Sequence, residues 1–419
     1  MDTGVRRGGG GRRDGAPLGR AGSARLPGGA SGRRPLGGRP VSLDQVLGHD
    51  RIKRILGKAL VEGRFPPALL LAGPEGVGKR TLALAAAEAL VCERGGGEAC
   101  GACSTCTRIA RAREALPALR KAADERPDEP ERRNFLLHPD LVLIEPRRTA
   151  TRLDIRIEQV RELVRQLEGR PFEARARAFV ISDAHAMTEQ AQNALLKGLE
   201  EPPATSHVVL VTAAPQGLLP TIRSRCQVLR PGPLPGAVVE TYLRDRAGLG
   251  VDEARLRASL AGGSLGAALA FESEAYRTLR EELLTLLEGR EESGALGRMA
   301  SAERLGESED LALALTALRS LLRDLVALRA GAAEGSVLNA DVAGRLAVLA
   351  RGRLGERALE LAETVGETRL VLRESAHKLL AVLEVMKQPT ARRGPAISRP
   401  RVRGGAPYGP NTPAGGRPV

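Results

Sequence analysis

Gly73-Pro74-Glu75-Gly76-Val77-Gly78-Lys79 has the make-up of a phosphate-binding loop, and a four-cysteine cluster lies just behind it. Glycines at 73, 76 and 78 let backbone N–H groups curl around phosphate oxygens, and the N-terminus of the helix that follows adds its dipole. Lys79 is placed to reach the β- and γ-phosphates. The next position normally offers a hydroxyl to magnesium, and here it is Arg80. Thr81 is one step further on, about 100° around the helix, and does not simply take its place. Asp183 ends the apolar run Ala178–Ser182, where a magnesium-orienting carboxylate sits in such folds. Ala184 stands where a glutamate would polarise the attacking water. Loss of a general base costs a factor of about 100 to 10,000 in rate. The pattern therefore predicts a loop that keeps its shape, with ATP and Mg2+ chemistry on this chain doubtful.

Cys92, Cys100, Cys103 and Cys106 follow C-x7-C-x2-C-x2-C spacing. Two-residue gaps let successive thiolates close on one tetrahedral ion, which predicts a structural Zn2+ with no open coordination position. Gly95-Gly96-Gly97 loosens the longer gap. A small loop with few apolar residues takes its order from the metal. Cys226 reads as a small buried residue, and no histidine is placed for nucleophilic catalysis. Arg225, in Thr221-Ile222-Arg223-Ser224-Arg225-Cys226, follows the last clear strand and can lie on the surface away from the phosphate loop. In ring-forming ATPases such an arginine enters the neighbour's site.

These residues need a scaffold. Ala68–Ala72, Leu141–Ile144, Ala178–Ser182 and Val208–Thr212 are short continuous apolar runs, as in strands buried on both faces, with a weak fifth at Gln227–Leu229. Helices are predicted from about Lys79 to Val91, over Ile157–Leu167, and from Thr188 to Glu200 with Pro202-Pro203 as the stop. Alternating strands and helices indicate a parallel sheet covered on both sides. The predicted fold is α/β plus all-α: a RecA-like P-loop domain over 41–232 with the zinc module at 92–106 embedded in it, a helical lid over 233–272, and a helical collar over 273–387. Thr107–Leu137 reads as a charged helical insertion of unknown role.

The net charge is +14 over 419 residues, but residues 1–40 carry nine arginines against two aspartates, and 388–419 carry six arginines and no acid. Both segments read as disordered Gly/Arg/Pro-rich tails. The body between them is nearly neutral, so the global basicity does not argue for a nucleic-acid-binding fold. No run is apolar enough to span a membrane, and clustered cysteines at metal spacing favour a reducing cytoplasm.

Several strings resemble the bacterial clamp-loader ATPases of the AAA+ class. Asn193-Ala194-Leu195-Leu196-Lys197-Gly198-Leu199-Glu200-Glu201-Pro202-Pro203 is similar to that family's most recognisable stretch, and Ser224-Arg225-Cys226 to its arginine-finger motif. Thr212 matches the threonine that senses the γ-phosphate, and the four cysteines match the zinc module. The resemblance is strong over about 42–230, weaker over 233–386 and absent in both tails. Within the family the chain resembles the delta-prime type rather than the gamma/tau motor. The motor would carry threonine at 80, glutamate at 184 and an arginine near Gly266 or Ala267. The resemblance implies a subunit of the DNA polymerase III holoenzyme that does not hydrolyse ATP itself. It would donate Arg225 to a neighbouring site in a hetero-pentamer with gamma/tau-type and delta-type subunits, which loads the sliding clamp on primed DNA. Two alternatives stay open: an active gamma/tau-type ATPase, and a zinc-containing nucleic-acid adaptor working through its tails.

Overall fold

The computed structural model describes residues 42–126, 128–148, 153–288 and 311–371. Both predicted tails, and the end of the predicted collar, lie outside them.

A short helix α1 (Asp50–Val61) precedes β1 (Ala68–Ala72), which feeds the phosphate loop and then α2 (Lys79–Val91). Next come α3 (Ser104–Asp124), β2 (Asn134–His138) and β3 (Leu141–Ile144). A two-stranded ribbon, β4 (Arg147–Arg148) with β5 (Leu153–Asp154), leads to α4 (Ile157–Leu167). Then follow β6 (Arg177–Ile181), α5 (Glu189–Glu200), β7 (Ser206–Thr212), α6 (Pro220–Arg225) and β8 (Gln227–Leu229). The sheet order is β2-β3-β6-β7-β1-β8, parallel throughout except for β2 at one edge.

Alternation along the strands explains the layers. Leu69 and Leu71 face a core shared with α2, while Ala68, Leu70 and Ala72 face the opposite core with α4 and α5. Every residue of β1 is buried, which is why its sequence is continuously apolar. The helix ends follow local chemistry: Thr188 Oγ1 accepts the Ala191 N–H and starts α5. This sheet brings the C-terminal ends of β3, β6, β7 and β1 to one edge, where ligands bind in open parallel sheets.

The segment after Cys106 differs from the reading of a helical insertion over Thr107–Leu137. The helix begins earlier, at Ser104 inside the cysteine cluster, and ends at Asp124. The chain then makes a 3₁₀ turn (Pro130–Arg133) and β2, an antiparallel edge strand on β3. Its residues Asn134-Phe135-Leu136-Leu137-His138 bury Phe135, Leu137 and His138 and expose Leu136, a pattern too short and irregular to stand out beside the charged helix.

Helices α7 (Gly236–Asp245), α8 (Val251–Leu260) and α9 (Leu265–Ala270) surround a separate small core of Leu234, Val239, Leu243, Ala254 and Ala268. Helix α10 (Ser273–Glu288) and helices Leu311–Arg329, Ala343–Arg351 and Arg353–Val371 enclose a further core. A buried polar network pins it. Asp324 accepts the backbone N–H of Leu338 and Asn339 and the Asn339 amide, and Tyr276 Oη lies 2.7 Å from Ser320 Oγ.

Candidate functional site

The phosphate loop has the backbone its glycines foretell. Gly76 and Gly78 have φ of 70° and 99°, a region costly for side chains. The loop is tied down from three directions. Lys79 Nζ donates to Pro74 O inside the loop, His49 Nε2 lies 2.7 Å from Val77 O, and Gly76 O accepts the N–H of Gly266 at 2.9 Å. The last contact places the first turn of α9 on the loop itself. A Cβ on Gly76 would stand 2.2 Å from Ser264 Oγ, and one on Gly266 would stand 2.9 Å from Gly76 Cα. Gly73 is equally confined, its Cβ position lying 2.1 Å from Pro231 O. Lys79 is buried, and that burial pushes its pKa down while Asp183 and Glu75 pull it back up. Beyond His49 a groove of about 380 Å³ is lined by Leu47, Ala237, Val238, Thr241, Tyr242 and Asp245.

The magnesium side of the loop holds fixed protein charges. Arg80 pairs with Glu145, just past the end of β3. Arg120 of α3 grips the same carboxylate with two hydrogen bonds of 2.9 and 2.8 Å, and Arg133 Nη1 approaches it at 4.0 Å. Glu145 is buried, so its charge is neutralised within the chain. Asp183 lies two residues beyond β6 in a left-handed conformation (φ 51°), and its carbonyl caps a short 3₁₀ turn holding the fully buried Ala184. Ser182 Oγ is buried with no hydrogen-bond partner among the described residues. Thr212 is fully buried, its Oγ1 lying 3.1 Å from His185 Nδ1 while its carbonyl accepts the Gly73 N–H. Thr81 is half-buried on the first turn of α2. Gly73, Gly76, Gly78, Lys79, Asp183 and Thr212 thus gather at one edge of the sheet. Arg80, paired with Glu145, occupies the position after the loop lysine where a hydroxyl would serve magnesium, and a lid glycine is seated on the loop.

Sequence reasoning missed Glu145, His49 and the Gly266 contact. A carboxylate directly after a buried strand was a visible signal for Glu145. Its partners Arg80 and Arg120 are 65 and 25 residues away in sequence, beyond any spacing rule.

The four cysteines converge, with all four sulfurs within 4.8 Å of one another. A tetrahedral site with metal–sulfur bonds of about 2.3 Å sets its sulfurs roughly 3.8 Å apart. Backbone N–H groups already point at the sulfurs: Cys100 N to Cys92 Sγ, Cys103 N to Cys100 Sγ and Cys106 N to Cys103 Sγ, each 3.4 Å. Burial opposes ionisation of the Cys100 thiol, but the N–H groups of Ala102 and Cys103, together with the Cys103 and Cys92 thiols, outweigh it and bring its pKa to about 6. Donor set, convergence and N–H···S bonds suit this group to hold a metal ion. Cys226 is buried elsewhere, against the core of α4 and α5, and that burial raises its pKa to about 11.

Arg225 ends α6 at the other end of the molecule's central sheet. Gln227 pairs with Leu69 near the start of β1, whereas the phosphate loop leaves from the end of β1. At ~3.3 Å per residue, Arg225 is about 20 Å from its own loop along the strand direction. Its Nη2 donates to Glu200 Oε1 at 2.8 Å and its Nη1 to Thr221 O at 3.1 Å, and the side chain is 35% exposed.

A parallel sheet with a phosphate loop at its centre, a helical lid on that loop and a helical region beyond is the architecture of a P-loop fold of the AAA+ type. A family profile described as "DNA polymerase III, delta subunit" matches residues 48–234. DNA polymerase III subunit delta' of Escherichia coli K12 is 31% identical over 290 residues, 69% of this chain and 77% of that protein. The Bacillus subtilis subunit delta' is 33% identical over 193 residues, so the chain spans about half (50%) of that relative's length. DNA polymerase III subunit tau of E. coli is 32% identical over 189 residues, covering 25% of it. The chain belongs to the DNA polymerase III delta-prime family.

Proposed function

We propose that this chain is a clamp-loader subunit of a DNA polymerase III that hydrolyses no ATP itself and supplies Arg225 to the ATP site of a neighbouring gamma/tau-type subunit. One observation carries the reading. Arg225 stands about 20 Å from its own phosphate loop, half-exposed and oriented by Glu200, while that loop is covered by Gly266 and flanked by the Arg80–Glu145 pair. An arginine so placed serves a site outside its own chain. Similarity both to delta-prime subunits and to the tau subunit supports a place beside gamma/tau-type and delta-type partners in a pentamer. The complex would then open the sliding clamp and set it on primed DNA.

Within this role the chain's own residues act by position. Glu200 holds the guanidinium ready. The Gly76–Gly266 contact fixes the lid against the sheet, giving the neighbour a constant surface. The helices from 273 onward provide the collar for assembly. The ion held by Cys92, Cys100, Cys103 and Cys106 is zinc, because four thiolates with no open position suit a closed tetrahedral site. It organises the residues around the start of α3.

Mixing the purified chain with gamma/tau-type and delta-type subunits tests the reading, with native mass spectrometry as readout. One copy of this chain per pentamer, carrying one zinc, is the expected result, and the chain alone should show no ATP turnover. Robust turnover by the isolated chain that disappears in Lys79→Ala would overturn it in favour of a motor.

A further inference from the structure

Only seven aromatic side chains fall among the described residues, and six are buried or half-buried. The seventh, Phe172, is 79% exposed. It lies in the connection between α4 and β6, at the N-terminal edge of the sheet and away from the phosphate loop. An exposed phenylalanine in a slack loop would mean little. This loop is held in place.

Asp140, fully buried at the start of β3, accepts three consecutive backbone N–H groups of the loop. Its Oδ1 takes Phe172 N at 2.7 Å, and its Oδ2 takes Glu173 N and Ala174 N, each at 2.9 Å. Arg177 Nε adds an ion pair at 3.4 Å from below. The cysteine module forms the second support. Arg108 of α3 pairs with Glu173, and the Arg175 guanidinium rests on Gly95, where a Cβ would stand 1.3 Å from its Nη1. Pro171 stiffens the approach. The ring is thus displayed on a fixed backbone, and displaying it costs little entropy on binding.

The charges around the ring are unbalanced. Glu168 is paired with Lys197, and Glu173 with Arg108 while His138 Nε2 approaches it at 3.0 Å. Arg170 and Arg175, two and three residues either side of Phe172, are exposed and have no carboxylate or hydrogen-bond partner among the described residues. An exposed ring with two unopposed arginines in the same loop matches a ligand that offers π-faces joined by negative charges.

We propose that the loop Arg170–Arg175 is a binding site for single-stranded nucleic acid, with one base stacked on Phe172 and the flanking phosphates held by Arg170 and Arg175. None of these residues belongs to the phosphate loop, and none is among the hydrogen-bond or ion-pair partners of Arg225, which are Thr221 and Glu200. The site needs no sequence preference, because every base has a π-face. Both supports, Asp140 and the cysteine module, serve its geometry.

The chain contains no tryptophan, so Phe172→Trp in the full-length protein creates a lone fluorophore at the site. Titration with oligothymidylate should quench its emission, because a stacked base quenches indole, whereas binding to the Arg-rich ends of the chain leaves it unchanged. Adding Arg170→Ala and Arg175→Ala to the same background should weaken the titration about tenfold at fixed salt. Polyglutamate at equal charge should give no quench. Three results would each overturn the proposal: unchanged emission with oligothymidylate, a midpoint indifferent to the two arginines, or equal quenching by polyglutamate, which points to an acidic protein partner. Phe172 is mostly in solvent, so its replacement leaves the thermal unfolding midpoint in place and folding does not confound the reading.

Discussion

At the scale of single residues, the phosphate loop is a case of preserved shape with altered chemistry. Gly73, Gly76, Gly78 and Lys79 keep the backbone and cation that a phosphate would need, and Gly73, Gly76 and Lys79 have a second task inside the chain. Gly76 and Gly266 are glycines because two backbones meet there at contact distance. Gly266→Arg, which places an arginine where a motor subunit would carry one, should therefore lower stability by about 1–3 kcal/mol and gain no nucleotide affinity. Thermal unfolding with and without MgATP checks both halves. Glu145 is the second such residue. Its removal leaves Arg80, Arg120 and Arg133 without their shared carboxylate, and Glu145→Ala should cost about 3 kcal/mol in urea denaturation. A loss under 1 kcal/mol would mean the cluster is solvated. The glycines, the lysine and the cysteines were legible in sequence because spacing alone specifies them. Glu145 was not, because its meaning lies in partners brought by other elements.

At the scale of elements, runs buried on both faces announce themselves, and Ala68–Ala72 and Leu141–Ile144 are strands with the bounds their apolar runs give; the weaker Gln227–Leu229, a partly exposed edge strand, also has the bounds read from sequence. The edge strand β2 escaped for the converse reason: one neighbour and one wet face leave it a weak alternation next to a charged helix. The wall between β1 and β7 also carries a pH dependence. His207 of β7 is buried against Phe65, with ring centroids 5.5 Å apart, and its Nδ1 lies 3.0 Å from Pro66 O. Burial lowers its pKa, outweighing the Pro66 hydrogen bond, and burial also lowers that of His138. The unfolded chain takes up these protons at about 6.5 while the folded chain resists, so below that value the unfolded state binds more protons. Their contribution to stability is complete above about pH 6.5 and is lost as pH falls toward the folded pKa values. Unfolding midpoints between pH 7.5 and 5 should fall with acid, and His207→Gln should flatten the slope. An unchanged slope would place the acid sensitivity at other groups.

At the scale of the whole molecule, three regions, each with its own apolar packing, divide the labour. The α/β core fixes the loop edge and the Arg225 end at opposite limits of one sheet. The lid core is carried onto the loop by α9, and the helical core beyond α10 is locked by Tyr276, Asp324 and Asn339. The succession of α/β, lid and helical regions was legible from where the strand pattern stops, near Leu234. The direct seating of the lid on the loop was not, because it depends on how two separate cores dock. Among the described residues no helix is long and apolar enough to cross a membrane.

The most direct measurement is DNA-stimulated ATP hydrolysis by a reconstituted clamp loader in which this chain carries either Arg225→Ala or Lys79→Ala. The account predicts that Arg225→Ala lowers turnover at the site it serves by about 1,000-fold or more, so that the complex loses that site's share, while Lys79→Ala leaves hydrolysis unchanged. Full activity with Arg225→Ala, together with a loss in Lys79→Ala, would contradict it.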